Sequence, residues 1–306
     1  MALPSSLARR LELPLIAAPM FLVSGPDLVI AACRAGVVGS FPTANCRTLP
    51  ELDEWLTRIA AAAEGGAPFA PNLIVHRTNA RLAEDTALVV RHRAPLVIAS
   101  VGHPGPIVEA IHGYGGLVFA DVASMRHVEK ALEAGADGLI LLTAGAGGQT
   151  GWVNPFAFVR AVRRRWDGPL VLAGGVADGI GLRAAVALGC DLAYMGTRFI
   201  ATRESMADQR YKAMLVESSL DEVLLTRAVT GLATNMLKPS LRAAGLDPDD
   251  LPERGSIDIV KDINPEARRW KDVWSAGHTV ALVDDVPSVA ELVARIAAEY
   301  AGAVPR

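Results

Sequence analysis

The stretch Pro169–Ile200, PLVLAGGVADGIGLRAAVALGCDLAYMGTRFI, decides how the rest of the chain is read. It opens on an apolar run, Pro169–Val176, and closes on another, Leu192–Ile200. Neither alternates apolar with polar residues, so each predicts a strand buried on both faces, as in a parallel sheet covered by helices. Between them Gly179–Gly189 has helical spacing and stops at glycine, as helix C-termini tend to. This is one strand–helix–strand unit. Gly174-Gly175 and Gly196-Thr197 fall at or near the strand ends.

Working outward, the same unit recurs. Leu15–Met20, Gly36–Thr43, Phe69–Val75, Leu96–Gly102, Gly116–Val122 and Gly138–Ala144 precede these two runs, making eight. Helical stretches lie between them at Leu49–Gly65, Ala80–Arg93, Ser124–Ala136 and Phe156–Trp166. In the second, Leu82, Leu88 and Val89 recur at helical intervals, while Arg81, Glu84, Asp85 and Arg91 take the other face. Eight such units predict an α/β fold of the (β/α)8 TIM-barrel class, with an open doubly wound sheet as the alternative. After the eighth run the rhythm changes. Residues Ser219–Trp270 are rich in Pro, Asp, Asn and Arg, with turn signals at Asp247-Pro248 and Asn264-Pro265. We read a barrel core over 1–218 and a C-terminal helical extension over 219–306, packed together as a single overall domain. Pro287–Tyr300 closes the extension as an amphipathic helix with Val289, Leu292, Val293 and Ile296 on one side.

Composition narrows the class. The 306 residues are 51% hydrophobic and 21% charged, which excludes a largely disordered chain. A net charge of −3 argues against a nucleic-acid groove built on bulk positive charge. Cys33, Cys46 and Cys190 are odd in number and widely spaced; they suit a reducing compartment and form no metal cluster. Arg9-Arg10 before Leu13–Val23 imitates a signal peptide, but Pro14 and Pro19 interrupt the run and a first buried strand explains it. No stretch reaches the ~20 apolar residues that span a bilayer. The expectation is a cytoplasmic protein without membrane or nucleic-acid partners, acting on a small molecule; a homodimer is compatible with it.

In a barrel of this kind function collects at the C-terminal ends of the strands. Those ends carry Pro19-Met20, Asn72 with His76, His103, Asp121, Gly145–Gly151, Gly174-Gly175 and Gly196-Thr197. Loops after the seventh and eighth strands form the recurring phosphate site of the fold. Glycine there admits an anion to the backbone N–H groups, and the Thr197 hydroxyl adds a donor. The loop Thr143–Gly151 holds four glycines among its last seven residues, a poor helix and a good cradle for a planar or phosphorylated ligand. It has neither the Walker nor the Rossmann spacing. Its Gln149 can both donate and accept at an amide, or simply tie down the loop. His76 and His103 are candidates for proton transfer, with loop tethering as the alternative for each. No metal-ligand spacing and no Gly-x-Ser-x-Gly elbow occurs.

Taken together, Ala18-Pro19-Met20, Asn72, Ala146-Gly147-Gly148-Gln149-x-Gly151, Ala173-Gly174-Gly175 and Tyr194-Met195-Gly196-Thr197-Arg198 resemble the nitronate monooxygenases. Thr230-Gly231 and Trp274-Ser275-Ala276-Gly277-His278 resemble that family too. These enzymes, formerly called 2-nitropropane dioxygenases, share a fold with FMN-dependent enoyl-acyl carrier protein reductases. The resemblance implies a TIM barrel holding FMN non-covalently. It places Pro19 and Met20 beside the flavin ring, Asn72 at its polar edge, and Gly147 and Gly148 along its ribityl or phosphate side. Gly174, Gly175, Gly196 and Thr197 would hold the phosphate, with Met195 among the cofactor-binding positions. The implied reaction is oxidation of an alkyl nitronate with O2 to a carbonyl compound and nitrite. One departure matters: the family's loop normally ends Gly-Gly-His, and that histidine takes the α-proton of a nitroalkane, whereas Gln149 stands here. An amide is no base near neutral pH, and a general base contributes roughly 10²–10⁴-fold. Nitronates, already carbanionic, need none; neutral nitroalkanes would need His103 or His76. The alternative is an FMN-dependent reductase or dehydrogenase of enoyl, acyl-CoA or quinone substrates in which Gln149 polarises a carbonyl.

Overall fold

The apolar runs form the walls of a closed ring. In the computed structural model, which describes residues 3–251 and 273–302, eight parallel strands pair in chain order. They are β1 (Leu15–Ala17), β2 (Val38–Pro42), β3 (Phe69–Ile74), β4 (Leu96–Ser100), β5 (Leu117–Val122) and β6 (Gly138–Leu142), then, past the two-residue β7 (Gly148–Gln149), β8 (Leu170–Ala173) and β9 (Leu192–Met195). β1 pairs with β2 on one side and β9 on the other, which shuts the barrel. The open-sheet alternative is thereby excluded. Asn264-Pro265 lies outside the described residues.

Inward positions alternate along each strand. Ile16, Val38, Ala70, Leu96, Ile98, Phe119, Ile140, Val171 and Leu192 fill the interior, together with Leu7 from the short helix α1 (Ser5–Ala8) at the N-terminal end. Towards the C-terminal ends the filling changes: Asn72, Ser100, Asp121 and Tyr194 form a polar layer. The other strand faces pack against helices α2 (Pro26–Arg34), α3 (Leu49–Ala62), α4 (Leu82–Arg91), α5 (Gly105–His112), α6 (Met125–Glu133), α7 (Pro155–Arg163) and α8 (Gly179–Leu188). Local chemistry sets several helix starts. Thr48, Ser124, Asn154 and Asp178 cap α3, α6, α7 and α8 with side-chain oxygens that accept from first-turn N–H groups. Gly189, at φ +118°, ends α8.

Three features depart from the sequence reading. The eighth run splits: the strand stops at Met195, and Thr197–Ile200 is a one-turn helix, α9. The extension is not purely helical. After α10 (Gln209–Glu217) the strands β10 (Val223–Thr226) and β11 (Thr234–Leu237) form an antiparallel sheet with β7, followed by α11 (Lys238–Ala243). Finally, the closing helix Val289–Gly302 lies against α8 and α2, in the eighth helical place of the ring. Its Val289, Leu292, Val293 and Ile296 share one apolar cluster with Leu182 and Ala185 of α8 and with Leu28 and Ala32 of α2. The division at 218 therefore assigns part of the barrel's own outer layer to the extension.

Candidate functional site

A cavity of about 280 Å³ opens over the C-terminal ends of the strands. Three sets of residues build it. The loop after β1 brings Pro19, Met20 and Phe21; strands β3, β4, β5 and β9 bring the polar layer; the loops after β6, β8 and β9 bring glycine. Of the residues singled out in the sequence, Pro19, Met20, Asn72, Gly147, Gly148, Gln149, Gly174, Gly175, Gly196 and Thr197 line this one space.

The first loop is clamped. Met20 N–H donates to Ser24 Oγ (3.0 Å), and Asn45 Nδ2 donates to the Met20 and Ser24 carbonyls (3.1 and 2.8 Å). Asn45 Oδ1 accepts from Leu22 N–H (2.8 Å). Leu22 sits at φ +59°, and so does Val101 at the end of β4 on the cavity wall. Non-glycine residues in this region cost of order 1–3 kcal/mol and cluster at functional sites.

Across the barrel, Gly174 (φ +117°) and Gly175 (φ +79°) follow β8. A Cβ on Gly174 would meet Thr143 Oγ1 at 2.7 Å and the Ala146 nitrogen at 3.0 Å, whereas at Gly175 it would meet nothing within 4 Å. Gly175 thus lends its backbone to open space in a conformation that L side chains disfavour. Thr197 Oγ1 accepts from Gly277 N–H at 2.9 Å, which leaves the hydroxyl proton to donate. The late segment Trp274–His278 runs between the loops: Leu237 N–H donates to Trp274 O, and His278 N–H to Gly145 O (2.9 Å each). Trp274 stacks on Tyr211 with ring centroids 5.0 Å apart, and both rings face the cavity.

On the floor, Asn72 Nδ2 donates to Ile98 O (3.1 Å) and to Ser100 Oγ (2.8 Å). Both amide protons are engaged, so Asn72 offers the cavity an acceptor. Asp121 is pushed up to about 7 by burial. The residue is half-buried and lines the cavity. Tyr194 is raised well above the usual phenol range by burial and then by the nearby Asp121 charge, so it stays neutral.

Three sequence candidates do not reach the cavity lining. Met195 is buried in the apolar layer between barrel and helices, because its side chain alternates outward from Tyr194. His76 bonds locally, Nδ1 to Thr78 Oγ1 at 2.8 Å, and His103 Nδ1 accepts from Gly105 N–H at 3.2 Å. Each ring ties its own loop and is placed for no proton transfer in the cavity. Asn45, Ser100 and Tyr211 join the site without a sequence assignment, and Asp121, known from sequence only as a strand-end residue, faces into the cavity. Asp121 carried a readable signal, a lone acid in the buried run Leu117–Val122; Asn45 carried none.

Residues 79–299 match the family model described as nitronate monooxygenase. The chain is 26% identical to a nitronate monooxygenase of Paraburkholderia phytofirmans, an alignment covering 94% of this chain and 92% of that protein. It is 29% identical to a 5-hydroxy-7a-methyl-1-oxo-octahydro-1H-indene-4-carboxyl-CoA dehydrogenase of Mycobacterium tuberculosis, over 76% of this chain and 64% of that one. Among solved structures, FabK from Thermotoga maritima superposes with a TM-score of 0.80 at 25% identity, covering 98% and 97% of the two chains. No group of His, Cys, Asp and Glu among the described residues is arranged to hold a metal ion, and no helix there is long and apolar enough to cross a membrane.

Proposed function

Since this chain belongs to the nitronate monooxygenase family of flavin oxidoreductases, we propose that it binds FMN in the cavity and oxidises alkyl nitronates. The observation that carries this reading is the pairing of two unlike walls in one space: glycine backbone after β8 and β9, and a polar floor on β3, β4 and β5. In an eight-stranded ring β8 and β9 stand opposite β3 and β4. A ligand with an anionic tail and a flat polar head bridges them.

The residues fit that group. Gly174, Gly175 and Gly196 would hold the phosphate through backbone N–H groups, with the Thr197 hydroxyl as a further donor. Pro19, Met20 and Trp274 would border the ring. The flavin supplies acceptance of an electron from the nitronate, with O2 completing conversion to a carbonyl compound and nitrite. The protein's part is placement and polarity. Gln149, held by the pairing of β7 with β11, would donate from its amide to the nitronate oxygens. The described cavity-lining residues include no histidine, lysine or arginine, and on this reading the substrate is the preformed nitronate.

Purified protein should show flavin absorption and release FMN on denaturation. Under anaerobic conditions an alkyl nitronate should bleach the flavin, and neutral nitroalkane at equal concentration should bleach it far more slowly. A colourless protein that takes up no added FMN overturns the cofactor assignment. A second reading, a reductase or dehydrogenase of enoyl, acyl-CoA or quinone substrates in which Gln149 would polarise a carbonyl, is favoured in its reductive direction by the same lack of an imidazole, since hydride delivery to an enoyl or quinone acceptor removes no proton from carbon. Rapid bleaching by NAD(P)H and none by nitronate selects it.

A further inference from the structure

Asp121 stands where a charge has nothing to balance it. It is the one acid in the strand Leu117–Val122 and faces inward at its C-terminal end, on the cavity floor. Its Oδ1 is sealed from solvent and has no hydrogen-bond partner within the protein. Buried polar atoms are nearly always partnered, and one left open on a ligand cavity points to a partner that arrives with the ligand.

The neighbours say what kind of partner. On β3, Asn72 spends both amide protons within the protein and presents an acceptor. On β4, Ser100 accepts from Asn72 and keeps its own proton to donate. On β6, Leu142 is apolar; on β9, Tyr194 is a neutral phenol. No lysine, arginine, histidine or second carboxylate belongs to the described lining, and His278 packs behind Gly145 at the rim. An ionised Asp121 would face this floor with acceptors only. A protonated one adds a donor, so that Asn72, Ser100 and Asp121 present one acceptor and two donors. An edge that carries both carbonyl acceptors and an N–H donor, such as the pyrimidine edge of a flavin, can use both kinds of group.

We propose that Asp121 works as a neutral carboxylic acid, donating a hydrogen bond to the pyrimidine edge of the bound flavin. The assignment rests on the flavin reading above and extends it to a group that would otherwise repel the electron-rich edge. Burial, which lifts this carboxyl to about 7, leaves roughly half of it protonated at neutral pH in the free protein, and a ligand that accepts from it draws the rest to the neutral form. As pH rises the acid ionises, and the ligand must then restore the proton to bind.

The test is FMN affinity measured from pH 7 to 9, a window in which the FMN phosphate, with a second pKa of ~6, is already mostly ionised. For the parent, the dissociation constant should rise by about tenfold per pH unit over the upper part of this range. The Asp121→Asn variant, whose amide donates at any pH, should bind FMN with a constant that stays flat and close to the parent's value at pH 7. A flat profile in the parent, or the same slope in Asp121→Asn, overturns the assignment while leaving a yellow holoenzyme. Absence of FMN binding in the parent at every pH overturns the flavin reading, and this inference with it. The parent's own profile decides the matter even if the variant folds poorly.

Discussion

Three hydrogen bonds from the single amide of Asn45 fix the turn that presents Pro19, Met20 and Phe21 to the cavity. Asn45 is 9% exposed, so water cannot easily replace them. Losing buried partners of this kind costs about 1–3 kcal/mol. Asn45→Ala should lower stability by roughly 2 kcal/mol in urea melts and weaken FMN binding, although Asn45 does not line the cavity; unchanged affinity would show that the turn holds itself. Asp121 makes the opposite kind of prediction. Its folded-state pKa of about 7 lies above the unfolded carboxylate value. The sign follows: stability is greatest where the group is neutral in both states, below about pH 4, and is lost as pH climbs through 7. Asp121→Asn should therefore be more stable than the parent at pH 8.5, by up to about 4 kcal/mol, with the gain shrinking towards pH 5. Paired urea melts at the two pH values check it, and a pH-independent difference would contradict it.

At the scale of elements, the glycine loop owes its shape to strands far along the chain. β7 is only two residues long and pairs with β11, while Asn235 Nδ2 on β11 donates to Ala146 O at 2.7 Å. Gly179 shows a similar dependence. A Cβ there would lie 2.3 Å from both Ile296 O and Tyr300 N of the closing helix. Backbone cannot yield as a side chain does, so Gly179→Ala should push the two helices apart and cost about 1–3 kcal/mol in thermal or urea melts. The eight β-runs and the glycines after β8 were legible because burial on both faces and positive φ leave strong compositional marks. Pairing between β7 and β11 was not, because Gly148-Gln149 has no strand-like composition and Thr234–Leu237 is four residues without β-branched apolar residues or a regular alternation. Met195 was read as part of the site because it adjoins Gly196; strand alternation sends it to the other face. His76 and His103 sit at strand ends, yet position along a strand does not say whether a ring reaches the cavity.

For the whole molecule, the consequence of borrowing a distant segment is sharper. The closing helix covers the apolar faces of α2 and α8, and Arg198 and Arg295 both pair with Asp285 just ahead of it (2.6 Å each). Burying a side chain such as Val, Leu or Ile contributes about 1.5–3 kcal/mol, and this helix buries four. Together they rival the 5–15 kcal/mol that holds a typical domain folded. A chain ending at Asp285 should consequently lose its cooperative melt and precipitate or bind hydrophobic dyes. A sharp transition near the parent's would mean that the ring closes without its eighth helix. The polar floor needs no such help locally, since it is carried by the strands themselves.

The place of that helix also governs the order of assembly during synthesis. By the time Met195 has left the ribosome all eight strands exist, yet the seam between the first full helix and the one before β9 stays bare for about another hundred residues. At ~5–20 residues per second the ring spends several seconds with an open apolar flank. The nascent protein is thus most exposed to misassociation after its sheet is complete, and its last helix acts as the latch that ends that interval.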